Sequence, residues 1–82
     1  MKDDNYWMGR ALNLARKAEA SGEVPIGALI VKGGLIIGRG FNRRESSNDP
    51  SAHAEMIAIR QAARKLSAWR LSGTTLYVTL EP

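Results

Sequence analysis

Apolar residues first recur at helical spacing near the start of the chain, at Met8, Ala11, Leu12, Ala15 and Ala18. That spacing predicts a helix over Asn5–Ser21, with Asp4 or Asn5 as N-cap and Gly22 ending it. Arg10, Arg16 and Lys17 lie mostly off the apolar stripe. The period then changes. "IGALIVK" and "LIIGRGFN" are apolar runs separated by Gly33-Gly34, which predicts a β-hairpin, since paired glycines accept the positive φ of a tight turn. Neither run alternates cleanly, so both strand faces are expected to be covered by helices. Gly27, Gly38 and Gly40 within the runs mark bulges or close backbone approaches.

"RRESSNDPS" is polar and rich in turn formers, and reads as a loop. A second helix is predicted from about Ser51 or Ala52 to Ser67, with Met56, Ile59, Ala63 and Leu66 as its apolar stripe. "SGTT" breaks it, and Leu76–Leu80 reads as a third strand. A helix between two strands of one sheet is a crossover, so the third strand is expected to lie parallel to a hairpin strand. The order is helix, strand, strand, helix, strand, an α/β arrangement. Cover for the second helix and third strand is not supplied further along the chain.

Composition narrows the picture a little. The chain has 82 residues and is 44% hydrophobic, which allows one small domain. It has no cysteine, so neither a disulfide nor a thiolate ligand comes from these residues. A net charge of +4 fits either a polyanionic partner such as nucleic acid or a solubilising surface. Trp7, Met8 and Trp69 read as core side chains. "MKDDNYW" has no apolar h-region, and no apolar run is long enough to span a bilayer. The default is a soluble, cytoplasmic protein with no membrane partner.

His53 is the chain's one histidine, with Glu55 two residues on in "DPSAHAEMIAIR". Side chains at i and i+2 of a regular helix point to nearly opposite sides, so they converge only at its first turn, on a site beyond the helix end. There the N-terminus of the helix also favours an anionic ligand. The alternatives are a histidine satisfied by backbone or water, and a first-turn carboxylate that merely meets the helix dipole.

"EVPIGALIV", "GFNR", "DPSAHAEMIAIRQA" and "LYVTLEP" together resemble the zinc-dependent cytidine/deoxycytidylate deaminase superfamily, nearest its bacterial tRNA adenosine deaminase branch. The superfamily signature is H-x-E followed by P-C-x-x-C, and here His53-Ala54-Glu55 is followed by Pro82. The resemblance implies a three-layer α/β/α cytidine-deaminase-like fold, seen as helix-strand-strand-helix-strand. It implies His53 as a zinc ligand and Glu55 as the catalytic proton carrier. Asn42 and the backbone of Ala54 resemble contacts to a flipped-out base, and Val24-Pro25 falls where the family lines the base pocket. Asn42 also reads as a strand-ending turn residue, Val24-Pro25 as a linker, and Arg43-Arg44 as phosphate contacts or a solvated loop.

The implied activity is zinc-dependent hydrolytic deamination of adenosine to inosine at the wobble position of tRNA. The implied partners are the tRNA anticodon loop and a second copy in a homodimer. A guanine or cytosine/cytidine deaminase of the same superfamily, or a non-catalytic fragment, is the alternative. The family continues after the proline with two cysteines, so residues 1–82 are expected to be the N-terminal part of a single domain, with its Cys-x-x-Cys part missing. Zinc is then expected to bind weakly or not at all to these residues alone.

Overall fold

A computed structural model describes residues 2–43, 53–67 and 71–79. Its elements are α1 (Asp4–Ala20), β1 (Gly27–Lys32), β2 (Leu35–Phe41), α2 (Ala54–Leu66) and β3 (Thr75–Val78). Trp69, Leu80, Glu81 and Pro82, with Arg44 and most of the "RRESSNDPS" loop, lie outside the described residues.

Helix α1 starts one residue earlier than the sequence spacing predicts. Asp3 is the N-cap, and its carboxylate accepts the Tyr6 N–H at 3.0 Å. The far end closes as a Schellman motif. The N–H groups of Gly22 and Glu23 donate to the carbonyls of Glu19 and Ala18, with Gly22 at C′ as anticipated. The buried stripe is Trp7, Ala11, Leu14, Ala15 and Ala18, while Leu12 is 47% exposed. Trp7 is thus a core residue, as expected. The stripe is rotated from the one through Met8 and Leu12, because Trp7 and Leu14 flank the alanines on the side that meets the sheet.

Strands β1 and β2 form the anticipated hairpin through Gly33 and Gly34, at φ +60° and +78°. Positive φ at both central residues is the signature of a type I′ turn. The register slips between Ile30 and Val31, where Ile37 is the extra residue of a bulge on β2. β3 pairs antiparallel with β1, giving the sheet order β2-β1-β3. The third strand is thus parallel to a hairpin strand, as expected. β3 runs in the direction of β2, but β1 lies between them, so the β2-α2-β3 connection crosses over an intervening strand. Pairing stops at Val78 rather than Leu80.

The two faces of the sheet are covered separately. Ala28 and Ile30 of β1 pack with Ile37 and with Ala54, Ala58 and Ala62 of α2. Leu29 and Val31, pointing the other way, pack with Trp7, Ala11 and Leu14 of α1. This is the three-layer α/β/α arrangement, with β1 covered on both sides.

Ala54, Ala58 and Ala62, and not Met56, Ile59, Ala63 and Leu66 of the predicted stripe, form the buried face of α2. Met56 is 40% exposed, and the other three are half-buried. The reason lies beneath the helix. A Cβ at Gly38 would collide with the carbonyl oxygen of Ala58, and one at Gly40 would lie 2.6 Å from the carbonyl oxygen of Ala54. The helix backbone rests almost directly on the strand, and only small side chains fit between them. Gly27 plays the same part beneath Ala11 and Ala15 of α1.

Gly38→Ala should therefore destabilise the fold by about 3 kcal/mol or more, because the obstacle is backbone and cannot swing aside. Gly9→Ala, in α1 with nothing within 4 Å of the new methyl, should stabilise by up to about 1 kcal/mol. Urea midpoints of the two variants moving in the same direction would refute this account. A second tie joins β3 to the start of α1, where the Tyr77 hydroxyl donates to Asp4 at 2.6 Å. This hydrogen bond, aided by desolvation and the acidic pair Asp3-Asp4, raises the phenol above its usual pKa of 10.0. The folded state thus holds the phenolic proton more tightly than the unfolded state does. The stabilisation is complete below pH 10 and is lost as pH rises through the raised value. Tyr77→Phe should flatten this alkaline loss of stability, read as thermal midpoint against pH.

Candidate active site

The close seating of α2 on β2 fixes where the helix begins. Its first residue, Ala54, is fully buried, and its N–H donates at 2.9 Å to Oδ1 of Asn42, one residue beyond β2. Asn42 is itself only 4% exposed, and its own N–H donates to the Ile26 carbonyl at 3.1 Å. One residue, through its main-chain N–H and its side chain, therefore joins the end of β2, the entry to β1 and the start of α2. The first N–H groups of a helix lack partners within it, and here one is satisfied by a residue from a neighbouring strand.

His53 is the N-cap residue, with extended backbone at φ −81° and ψ 149°. Its carbonyl accepts the Ile57 N–H, but its imidazole makes no capping hydrogen bond. The half-buried ring is thus left for other contacts. Glu55 lies in the first turn and is also half-buried. Both side chains stand where the His-x-Glu spacing anticipated, at the start of a helix.

Val24 is 44% exposed and Pro25 half-buried. The Ile26 N–H donates to the Val24 carbonyl at 2.8 Å, a γ-turn centred on Pro25. This turn reaches Asn42 through the Ile26 backbone, so Val24 is tied to the site by main chain. Arg43 holds its guanidinium carbon 6.0 Å from the Phe41 ring centre.

Thr79, unremarked in the sequence, is 3% exposed and lies just beyond β3. Its N–H donates to the Gly27 carbonyl, and its hydroxyl accepts the Gly27 N–H at 2.9 Å. The only signal for it was a polar residue inside an apolar strand. The C-terminal ends of β2 and β3 thus flank the start of β1, and the N-terminus of α2 closes on the same edge. In open α/β sheets ligands favour such strand ends and helix N-termini.

A family model for the cytidine and deoxycytidylate deaminase zinc-binding region matches residues 1–82. The chain belongs to the cytidine and deoxycytidylate deaminase family. Among curated proteins it is 56% identical to the tRNA-specific adenosine deaminase of Buchnera aphidicola over 79 residues, covering 96% of this chain and 52% of that protein. It is 52% identical to the tRNA-specific adenosine deaminase of Bacillus subtilis, covering all of this chain and 51% of that one. The chain spans about half the length of these curated relatives.

Solved structures of deaminases share the fold. A guanine deaminase from Bacillus subtilis superposes with a TM-score of 0.90 at 42% identity, over 99% of this chain and 52% of its own. A structure from work on A-to-I editing by tRNA:A34 deaminases gives 0.87 at 49% identity, over 95% and 60%.

A zinc-binding family raises the question of ligands. Among the described residues no group of three His, Cys, Asp or Glu side chains is placed to hold a metal ion. One imidazole, with no cysteine in the sequence, does not make the three-ligand set of a catalytic zinc. The residues present fit one ligand position and not a complete centre.

Removing the Asn42 carboxamide tests how the site is held together. Asn42→Ala should cost about 1–3 kcal/mol by leaving the buried Ala54 N–H without an acceptor. Asn42→Asp, which keeps an acceptor oxygen at a helix N-terminus, should stay near the parent. Urea unfolding with amide exchange at Ala54 reads both. Equal midpoints for parent and Asn42→Ala would deny the carboxamide this linking part.

Proposed function

We propose that the protein of which these residues form a part deaminates adenosine in RNA, at the wobble position of tRNA, and that His53, Glu55, Asn42 and Ala54 belong to its active site. The Asn42–Ala54 hydrogen bond carries this reading, because it gathers a base-binding carboxamide, an uncommitted imidazole and a first-turn carboxylate at one helix terminus. The identities above 50% to tRNA-specific adenosine deaminases favour the tRNA substrate.

Each residue has a task that follows from its setting. Asn42 Oδ1 already accepts from Ala54, so its NH₂ group is the half presented to an acceptor on the base. The Ala54 N–H is engaged in the same bond and acts chiefly by fixing Asn42. Glu55 takes one proton from the attacking water and passes it to the ring nitrogen as the C–O bond forms, then carries the remaining hydroxyl proton to the amine, which leaves as ammonia when the C–N bond breaks, as a positioned carboxylate can. Val24 borders the base through the turn at Pro25. His53 is one zinc ligand, and the thiolates that the family resemblance implies come from outside these 82 residues. The protein is cytoplasmic, and a homodimer holds the anticodon loop. Among the described residues no helix is long and apolar enough to cross a membrane.

Guanine is the second reading, favoured by the superposition on a guanine deaminase. Grafting separates the two. The 82 residues should replace the matched part of the Bacillus subtilis tRNA deaminase and restore inosine formation in an anticodon stem-loop. The same graft in the Bacillus subtilis guanine deaminase should leave guanine turnover low. Glu55→Gln in the active graft should lower the rate by roughly 10²–10⁴-fold. The 82 residues alone, given zinc, should release no ammonia. Restored guanine activity without inosine formation would reverse the assignment.

A further inference from the structure

The face of the sheet opposite His53 and Glu55 carries a groove of about 280 Å³ between α1 and β2. Arg10, Asn13, Leu14 and Lys17 line it from the helix, and Leu29, Ile36 and Arg39 from the sheet. The helical residues fall at i, i+3, i+4 and i+7, so they share one side of α1. Arg39 alternates with Gly38 and Gly40, which face α2, and is thereby turned to the α1 side. Three cations therefore converge from two elements, and among the described residues no acidic side chain lines the groove. Asp4 and Glu19, the acidic residues of α1, fall on the far side of the helix.

The polar groups are matched to an anion. Arg10 Nη1 donates to the Tyr6 hydroxyl, a neutral partner that leaves its charge in place. Asn13 Oδ1 already accepts from Arg16 at 2.9 Å, so its remaining hydrogen-bonding capacity is the donor NH₂. The groove thus offers cations and amide donors over a short apolar floor of Leu14, Leu29 and Ile36. Planar guanidiniums pair with phosphate and carboxylate oxygens alike, so a carboxylate-rich protein surface would meet the same charges. The +4 charge of the chain favours a polyanion.

We propose that this α1–β2 groove binds the phosphate backbone of the RNA substrate, on the side of the sheet away from the deaminating site. The inference rests on the RNA substrate proposed above, but not on which base is deaminated. Contacts to phosphates position a nucleic acid without reading its sequence. The groove would hold a stem or flanking strand while the base enters at the start of α2.

The test uses the full chain and a fluorescent anticodon stem-loop, with affinity read from anisotropy as salt is varied. Neutralising one cation that meets a phosphate should lower the salt slope by about 1 and weaken binding roughly eightfold at about 0.1 M salt. Lys17→Gln with Arg39→Gln should then bind roughly 60-fold more weakly by the same relation. Arg64→Gln with Lys65→Gln, the same change in net charge on α2, should bind like the parent. Lys17→Arg with Arg39→Lys should retain affinity. Replacing the wobble adenosine by guanosine should leave the dependence on the groove unchanged. Groove and control variants weakening equally would overturn the proposal, as would an effect confined to the adenosine RNA. Tight binding of a polyglutamate peptide that depends on the groove, with no RNA affinity, would assign it to a protein and also overturn the proposal. The grafts report on the deaminated base and can fail while groove dependence persists.

Discussion

The seating of α2 on β2 is the constraint from which the rest of the architecture follows. Two glycines of one strand, Gly38 and Gly40, lie beneath carbonyls of the helix, and Ala54, Ala58 and Ala62 complete the contact. A contact made backbone to backbone leaves little freedom for the helix to slide or rotate. Interiors are packed as tightly as organic crystals, so a position defined by hard contact is held closely. The N-terminus of α2 inherits that definition. His53 and Glu55 are thus placed by the glycines of a neighbouring strand, and Asn42 then fastens the first turn to the end of that strand.

This explains which features could be read from the sequence. The hairpin was legible because Gly33-Gly34 between apolar runs has one good solution. The bounds of α1 were legible to within a residue because caps are local chemistry. The cover on both faces of β1 followed from its unbroken apolar run. The buried faces of both helices were not legible in the same way. Periodicity weighs large apolar side chains most, but where a helix lies this close to a sheet the buried positions are the small ones. Met56 and Leu12 are large and apolar and face outward, while the alanines beside them are covered. The glycines carried the missing information, since a glycine within a strand often marks the close approach of another backbone.

The neighbour of β3 was not legible for another reason. A crossover helix says that two strands run the same way, which is true of β2 and β3, but not that they are neighbours. Here β1 is the shared partner of both, antiparallel to each. The choice is made by side-chain and backbone contacts distant in sequence, among them the pair of hydrogen bonds that Thr79 makes with Gly27. Of the site, the helix-end placement of His53 and Glu55 could be argued from their spacing. Asn42 as the acceptor for Ala54 could not, because nothing local relates residues on either side of a loop.

The same topology divides the molecule's chemistry between two faces. Alternation along β2 sends Gly38 and Gly40 to one side and Arg39 to the other. On the first side the absence of side chains lets a helix approach, and the end of that helix gathers an imidazole, a carboxylate and a carboxamide. On the second side α1 lies over β1, and its cations gather over the exposed edge strand. The stretch "GRG" therefore serves two faces at once, through its glycines and through its arginine. One short stretch of strand thus sets both the close approach of α2 on one face and the cationic lining of the groove on the other.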